Sequence, residues 1–186
     1  MKKIPTLFER VFEKHRIVGI NNAITPGCEE AFLHGEATIK IDGSCCAIID
    51  GVFYKRYDAK NGKKPPVGAI PCCEPDLVTG HHPHWVKVDT SNPDDKWFEK
   101  AFVNTPEMLC DGTYEAIGKH FNGNPYGLCD DILERHGVKK VDVERTLDGV
   151  RKYLEENNIE GLVFWLNDEP VCKIKRTDFG LAWPTK

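Results

Sequence analysis

Two Asp-Gly pairs, Asp42-Gly43 and Asp50-Gly51, cut the stretch from Glu36 to Tyr57 into three short apolar runs. Asp-Gly between apolar runs is among the strongest local hairpin signals. Residues 36–41, 45–49 and 52–57 therefore read as consecutive antiparallel strands. Alternation in the first run sets Lys40 on the face opposite Ile39 and Ile41. Arg56 falls on the third strand, expected near the strand that carries Lys40.

A lysine at a strand end, with a carboxylate two residues on and a glycine beside it, suits nucleophilic chemistry on a phosphate. Such an amine must shed a proton. At an ordinary pKa of about 10.4, under about one in a thousand lysines is free at neutral pH, and nearby cations or burial raise that fraction. Gly43 takes turn dihedrals without steric cost and lets a bound group approach the backbone. Taken alone, Lys-x-Asp-Gly equally describes a surface lysine ahead of a turn.

The rest of the chain reads as α+β with antiparallel sheets and few helices. Residues 4–35 give mixed signals, with 8–12 readable as helix or strand and 17–20 as a short strand. Residues 61–71 hold Gly62, Pro65, Pro66 and Gly68 and read as a loop. Residues 85–88, 97–103 and 113–117 are strand candidates, and Asn122-Gly123-Asn124-Pro125 is a strong turn. Asp142 is expected to cap the one clear helix, with Val143, Leu147, Val150 and Leu154 on one face and Asn157 near its end. Residues 159–166 and 171–175 form a last strand pair.

Length, charge and cysteine usage narrow the class. At 186 residues one domain with a full core is expected. No run approaches the roughly 18 apolar residues of a membrane span, and no signal-peptide core follows Met1; a cytoplasmic protein is expected. Eight cysteines include two adjacent pairs, Cys45-Cys46 and Cys72-Cys73. Neighbours in a strand point to opposite faces, so reduced, mostly buried thiols are expected rather than a disulfide scaffold. His81, His82 and His84 with Cys72 and Cys73 match none of the usual structural zinc spacings, and an exposed His-Pro turn is the better reading. The net charge of -4 argues against a protein that coats nucleic acid non-specifically. Lysines and arginines nevertheless cluster at 55–64 and 173–176, which fits a phosphate-bearing ligand held in one place.

The polar residues that interrupt apolar strands are Lys40, Arg56, Glu115, Glu160, Lys173 and Lys175. Burying them costs free energy unless each finds a partner. Two acids and several bases entering one sheet system suit a nucleotide and a divalent cation.

Lys40-x-Asp-Gly, Arg56, Tyr114-Glu115, Glu160-Gly161-x-Val163 and Lys173-x-Lys175 stand in the order found in the covalent nucleotidyltransferases, the polynucleotide ligases and mRNA capping enzymes. The resemblance covers about residues 36–181. More narrowly, the chain resembles the compact ATP-dependent RNA ligases in 40–46, 122–128, 159–161 and 180–184. That resemblance implies one adenylating domain over 1–186, without the C-terminal OB-type domain of DNA ligases and capping enzymes. It implies ATP and Mg²⁺ (or Mn²⁺), with RNA bearing 5′-phosphate and 3′-hydroxyl ends as partner. Lys40 would be the nucleophile that carries AMP. Ile39, Lys40, Arg56, Glu115, Lys173 and Lys175 would contact the nucleotide, and Glu160 and Asp42 the metal. Tyr126 would either stack on a base or pack beneath its own loop. Two other readings stay open: adenylylation of another acceptor, such as a DNA end or a protein, and a non-catalytic nucleotide- or RNA-binding module.

Overall fold

The computed structural model describes residues 2–77 and 79–184. In chain order the elements are β1 (Phe8–Glu13), β2 (Arg16–Ile24), α1 (Glu29–His34), β3 (Glu36–Lys40), β4 (Ser44–Ile49), β5 (Val52–Asp58), β6 (Ile70–Pro71), β7 (Pro83–Lys87), α2 (Lys96–Asn104), β8 (Gly112–Ile117), β9 (Ile132–Arg135), β10 (Lys140–Val141), α3 (Leu147–Glu156), β11 (Gly161–Leu166) and β12 (Glu169–Lys175). The strands within each sheet pair antiparallel. This is the expected α+β class. Among the described residues no helix is long and apolar enough to cross a membrane.

The chain forms two compact units. One comprises 4–41 and 137–186, and holds a four-stranded sheet in the order β10-β3-β11-β12 together with the β1–β2 hairpin. Its register places Ala37, Phe164 and Cys172 in one row and Ile39, Leu162 and Ile174 in the next, so these six share a face. Helices α1 and α3 supply Phe32, Val150 and Leu154 to the core on that side. Phe8, Phe32 and Phe164 meet edge to face, with ring centroids 5.6 and 5.3 Å apart.

The other unit comprises the amino-terminal residues up to Lys3 together with 42–136, and is built on a six-stranded sheet in the order β6-β7-β5-β4-β8-β9. Cys46, Ile48, Tyr114, Ala116 and Leu133 form the buried side of this sheet, where Trp97, Phe98, Ala101 and Phe102 of α2 pack.

Several expectations need correction. Asp50-Gly51 does close a hairpin: both residues have positive φ, and β4 pairs with β5 from Ile49↔Val52. Asp42-Gly43 does not, because β3 and β4 belong to different sheets. A Cβ on Gly43 would lie 2.3 Å from the Ala116 carbonyl oxygen, so the turn feeds β4 against β8 instead of folding it back. Residues 97–103 are helical, not a strand. Trp97, Phe98, Ala101 and Phe102 have the spacing of one helix face, and a 3-10 turn opened by Asn92 and Pro93 leads into α2. The last helix starts at Leu147 with Thr146 as its cap, the Thr146 hydroxyl accepting from the Gly149 N–H, so Asp142 and Val143 precede it. Its expected end at Asn157 is observed. The first region is strand: β1 and β2 pair from Phe8↔Ile24 to Glu13↔Arg16. All eight cysteines are free, but only Cys28, Cys46 and Cys172 are buried. The histidine turn is not exposed either: His84 is buried and His81 is paired with Asp58.

The aromatic trio should dominate the stability of the first unit. Phe164→Ala removes a fully buried ring and should cost about 3–5 kcal/mol in urea unfolding. Phe12→Ala, at a position 62% exposed, should cost under about 0.5 kcal/mol.

Candidate active site

The face of the four-stranded sheet opposite its core carries the lysines. Register sets Lys40, Gly161 and Lys175 in one row across β3, β11 and β12, and Thr38, Val163 and Lys173 in the next. Lys40 thus stands on the side opposite Ile39, whose side chain follows the core row.

Glu160, immediately before β11, is 3% exposed. Its Oε2 accepts from Lys40 Nζ at 2.5 Å and its Oε1 from Lys175 Nζ at 2.6 Å. The carboxylate is therefore clasped between two ammonium groups from the strands on either side of β11. Gly161 makes this possible. A Cβ there would lie 2.0 Å from the Ile174 carbonyl oxygen, so no side chain fits at this position against β12. The Glu160 carbonyl accepts the Arg176 N–H at 2.9 Å, fixing the backbone on which the carboxylate is mounted. Lys173 is half-buried, and its backbone is held on both sides by the amino-terminal segment: its N–H donates to Pro5 O at 3.0 Å and its carbonyl accepts from Leu7 N–H at 2.7 Å.

Arg56, Glu115 and Asp42 belong to the other unit. On the sheet face opposite α2, Cys45 lies across from Glu115 and hydrogen-bonds Arg56. Burial first, and then the Glu115 charge, push the Cys45 thiol up to about 12, with Arg56 pulling the other way. Cys45 is thus a neutral thiol at neutral pH. Arg56 Nε is buried with no hydrogen-bond partner among the described residues. Glu115 Oε2 meets His136 Nε2 at 2.8 Å, and His136 Nδ1 reaches Thr113 Oγ1 at 3.1 Å. A buried guanidinium nitrogen left open beside a held carboxylate can take an anionic oxygen and a hydroxyl of one ligand.

Asp42 sits in the turn after β3. Its Oδ1 accepts from Asn122 Nδ2 at 2.9 Å, and its N–H donates to the Tyr126 hydroxyl at 2.7 Å. Tyr126 therefore reaches out of its own loop to the backbone of this turn. Lys60, Lys63 and Lys64 are exposed in the segment after β5.

Sequence reasoning missed Cys45, His136, Asn122 and the hydroxyl role of Tyr126. His136 carried no signal, because it follows a strand that was not expected. Asn122 lay inside a recognised turn whose composition explains its backbone and hides its side chain.

The family model for RNA ligase 1 matches residues 94–186, a half of the chain that contains Glu115, Glu160, Lys173 and Lys175 but not Lys40. A Danio rerio protein named RNA ligase 1 is 28% identical over 138 aligned positions, covering 56% of this chain and 42% of that protein. Rattus norvegicus and Mus musculus proteins of the same name are 30% and 31% identical over 168 and 164 positions, each covering 70% of this chain and 47% of theirs. The chain spans less than half the length of these relatives. By the match over half its length, and by the relatives that share it, the chain belongs to the RNA ligase 1 family.

Proposed function

We propose that the chain is an ATP-dependent RNA ligase that joins 5′-phosphate to 3′-hydroxyl RNA ends through AMP held covalently on Lys40. The observation that supports this most is the Glu160 carboxylate shared by Lys40 and Lys175 on one sheet face. Family membership supports RNA as the substrate.

In this reading the Lys40 ammonium first gives up a proton to solvent, and the free amine attacks the α-phosphorus of ATP. A phosphorus–nitrogen bond forms and pyrophosphate leaves. Lys175 and Lys173 offer positive charge to the phosphate, where negative charge grows in the transition state. Arg56 supplies its open Nε to a phosphate or ribose oxygen, and Glu115, held by His136, accepts from a ribose hydroxyl. The AMP then passes to an RNA 5′-phosphate. Attack by a 3′-hydroxyl on that activated end makes the phosphodiester and releases AMP. A covalent intermediate divides one hard displacement into easier ones.

Among the described residues no group of three or more His, Cys, Asp or Glu side chains gathers into a metal cage. Mg²⁺ is commonly bound by one or two carboxylates together with substrate phosphates and waters, and Glu160 fits that role in the presence of ATP. Asp42 is the second carboxylate proposed to face hydrated metal. The ion would supply charge neutralisation at the phosphates.

Incubation with ATP and Mg²⁺ should add one AMP by intact mass, in an acid-labile, alkali-stable linkage. Lys40→Ala should form none, and label that persists in Lys40→Ala would place the nucleophile elsewhere. Glu160→Gln keeps the size and removes the charge, and should slow adduct formation by about a hundredfold or more. EDTA should abolish adduct formation in the unaltered protein, and robust labelling without a divalent ion would remove the metal from the scheme.

Ligation should also be more sensitive to salt than adduct formation. In this reading the exposed Lys60, Lys63 and Lys64 would meet the RNA phosphodiester backbone, and each phosphate contact would release counterions. Replacing all three with alanine should spare the AMP adduct and impair sealing of 5′-phosphate RNA. Equal sealing by that variant would make the segment a solvated surface. An adduct that never passes to any RNA end would point to a different acceptor.

A further inference from the structure

We infer that Asn122 and Tyr126 are positioning residues for the adenylation step, acting as a clamp on the Asp42-Gly43 turn that follows Lys40. The inference rests on the reading of Lys40 as the nucleophile.

The contacts are made by side chains at the two ends of one loop. Asn122 Nδ2 donates to Asp42 Oδ1 at 2.9 Å and to the Gly43 carbonyl at 2.7 Å, so one amide group holds both residues of the turn. Tyr126 accepts the Asp42 N–H at 2.7 Å through its hydroxyl. Together they engage a side chain, a carbonyl and an amide N–H within two residues. On its other side Gly43 lies against the Ala116 backbone, too close for any Cβ.

The loop that presents the clamp is itself fixed. Asn122, Gly123 and Asn124 take successive positive φ values, conformations suited to Asn and Gly. The Asn124 side chain closes the loop by accepting from Leu128 N–H and donating to Leu128 O, both at 2.9 Å. At its base, Asp131 is 1% exposed and binds both the His120 N–H at 3.0 Å and His120 Nδ1 at 2.7 Å. The His120 ring stacks on Trp97 at 3.3 Å between centroids. Such anchoring exceeds what a surface turn needs to close.

Lys40 attacks only if its amine approaches the α-phosphorus along the line opposite the departing pyrophosphate. Register and Glu160 hold Lys40 from β11, and only Ile41 separates it from Asp42, so the clamp fixes the chain where it leaves the strand that carries the nucleophile. A displacement of about 1 Å at a reacting group can cost about a hundredfold in rate. The clamp should therefore act on the rate of the chemical step and leave nucleotide affinity alone.

Tyr126→Phe removes one hydroxyl, and Asn122→Gly removes the amide at a position whose positive φ glycine tolerates. The rate of AMP-adduct formation at saturating ATP is measured in single turnover. ATP affinity is measured by calorimetry with each substitution placed in the Lys40→Ala background. The expected result is a rate lower by about 10- to 100-fold in each variant, with unchanged ATP Kd and an unchanged unfolding midpoint. Adduct formation at the unaltered rate in both variants overturns the clamp while leaving Lys40 as nucleophile. A loss expressed only as weaker ATP binding also overturns it, and makes these residues nucleotide contacts. Unaltered protein that forms no adduct overturns the clamp and the Lys40 reading together.

Discussion

The Glu160 carboxylate organises the lysine-bearing face. At 3% exposure it is out of water, and an ionised carboxylate so placed requires charged partners on both oxygens. Lys40 and Lys175 fill that requirement from two different strands, so β3, β11 and β12 must hold their register for any of the three charges to be satisfied. A one-residue slip of β3 would turn Lys40 into the core and Ile39 out of it. The ion-pair triad and the hydrophobic rows on the other face therefore specify the same register.

Glu160 and Gly161 depend on each other in the same way. The close approach of β11 to β12 admits only glycine at the first strand position. That approach puts Lys175 directly across from Gly161 and within reach of the residue just before it. A wider spacing would admit a side chain and move Lys175 Nζ off the carboxylate. Glu-Gly is thus one geometric unit: the glycine sets the strand distance and the glutamate uses it.

The sheet faces and the polar interruptions were legible in the sequence because they follow period-two alternation, which is local. Lys40, Lys173 and Lys175 lie on β3 and β12 as alternation requires, while Glu160, expected inside the strand over 159–166, falls immediately before β11. What was not legible is which strands pair. Asp50-Gly51 and Asp42-Gly43 are the same dipeptide in similar surroundings, yet one closes a hairpin and the other carries the chain into a second sheet. Distant neighbours distinguish them: the Ala116 backbone, Asn122 and Tyr126 lie against Asp42-Gly43, more than seventy residues away in sequence. In the 97–103 segment aromatic content suits a strand, while the spacing of Trp97, Phe98, Ala101 and Phe102 suits a helix, and burial of that face against Cys46, Tyr114 and Leu133 decides for the helix. His136 and Asn122 act through partners 21 and 80 residues distant, beyond any local pattern.

The pairing around Arg56 shows how a protein keeps a cation available beside an anion. Arg56 and Glu115 stand on strands that flank β4, where a direct ion pair would satisfy both and leave little for a ligand. Cys45 lies between them. Its thiol, pushed up to about 12 chiefly by burial, stays neutral and hydrogen-bonds Arg56 without cancelling its charge. Glu115 is taken instead by His136. Arg56 makes no ion pair among the described residues and retains a buried Nε with no acceptor. An unmet buried donor costs about 1–3 kcal/mol. In the proposed reading, an anionic oxygen of the nucleotide would meet that donor and recover the cost.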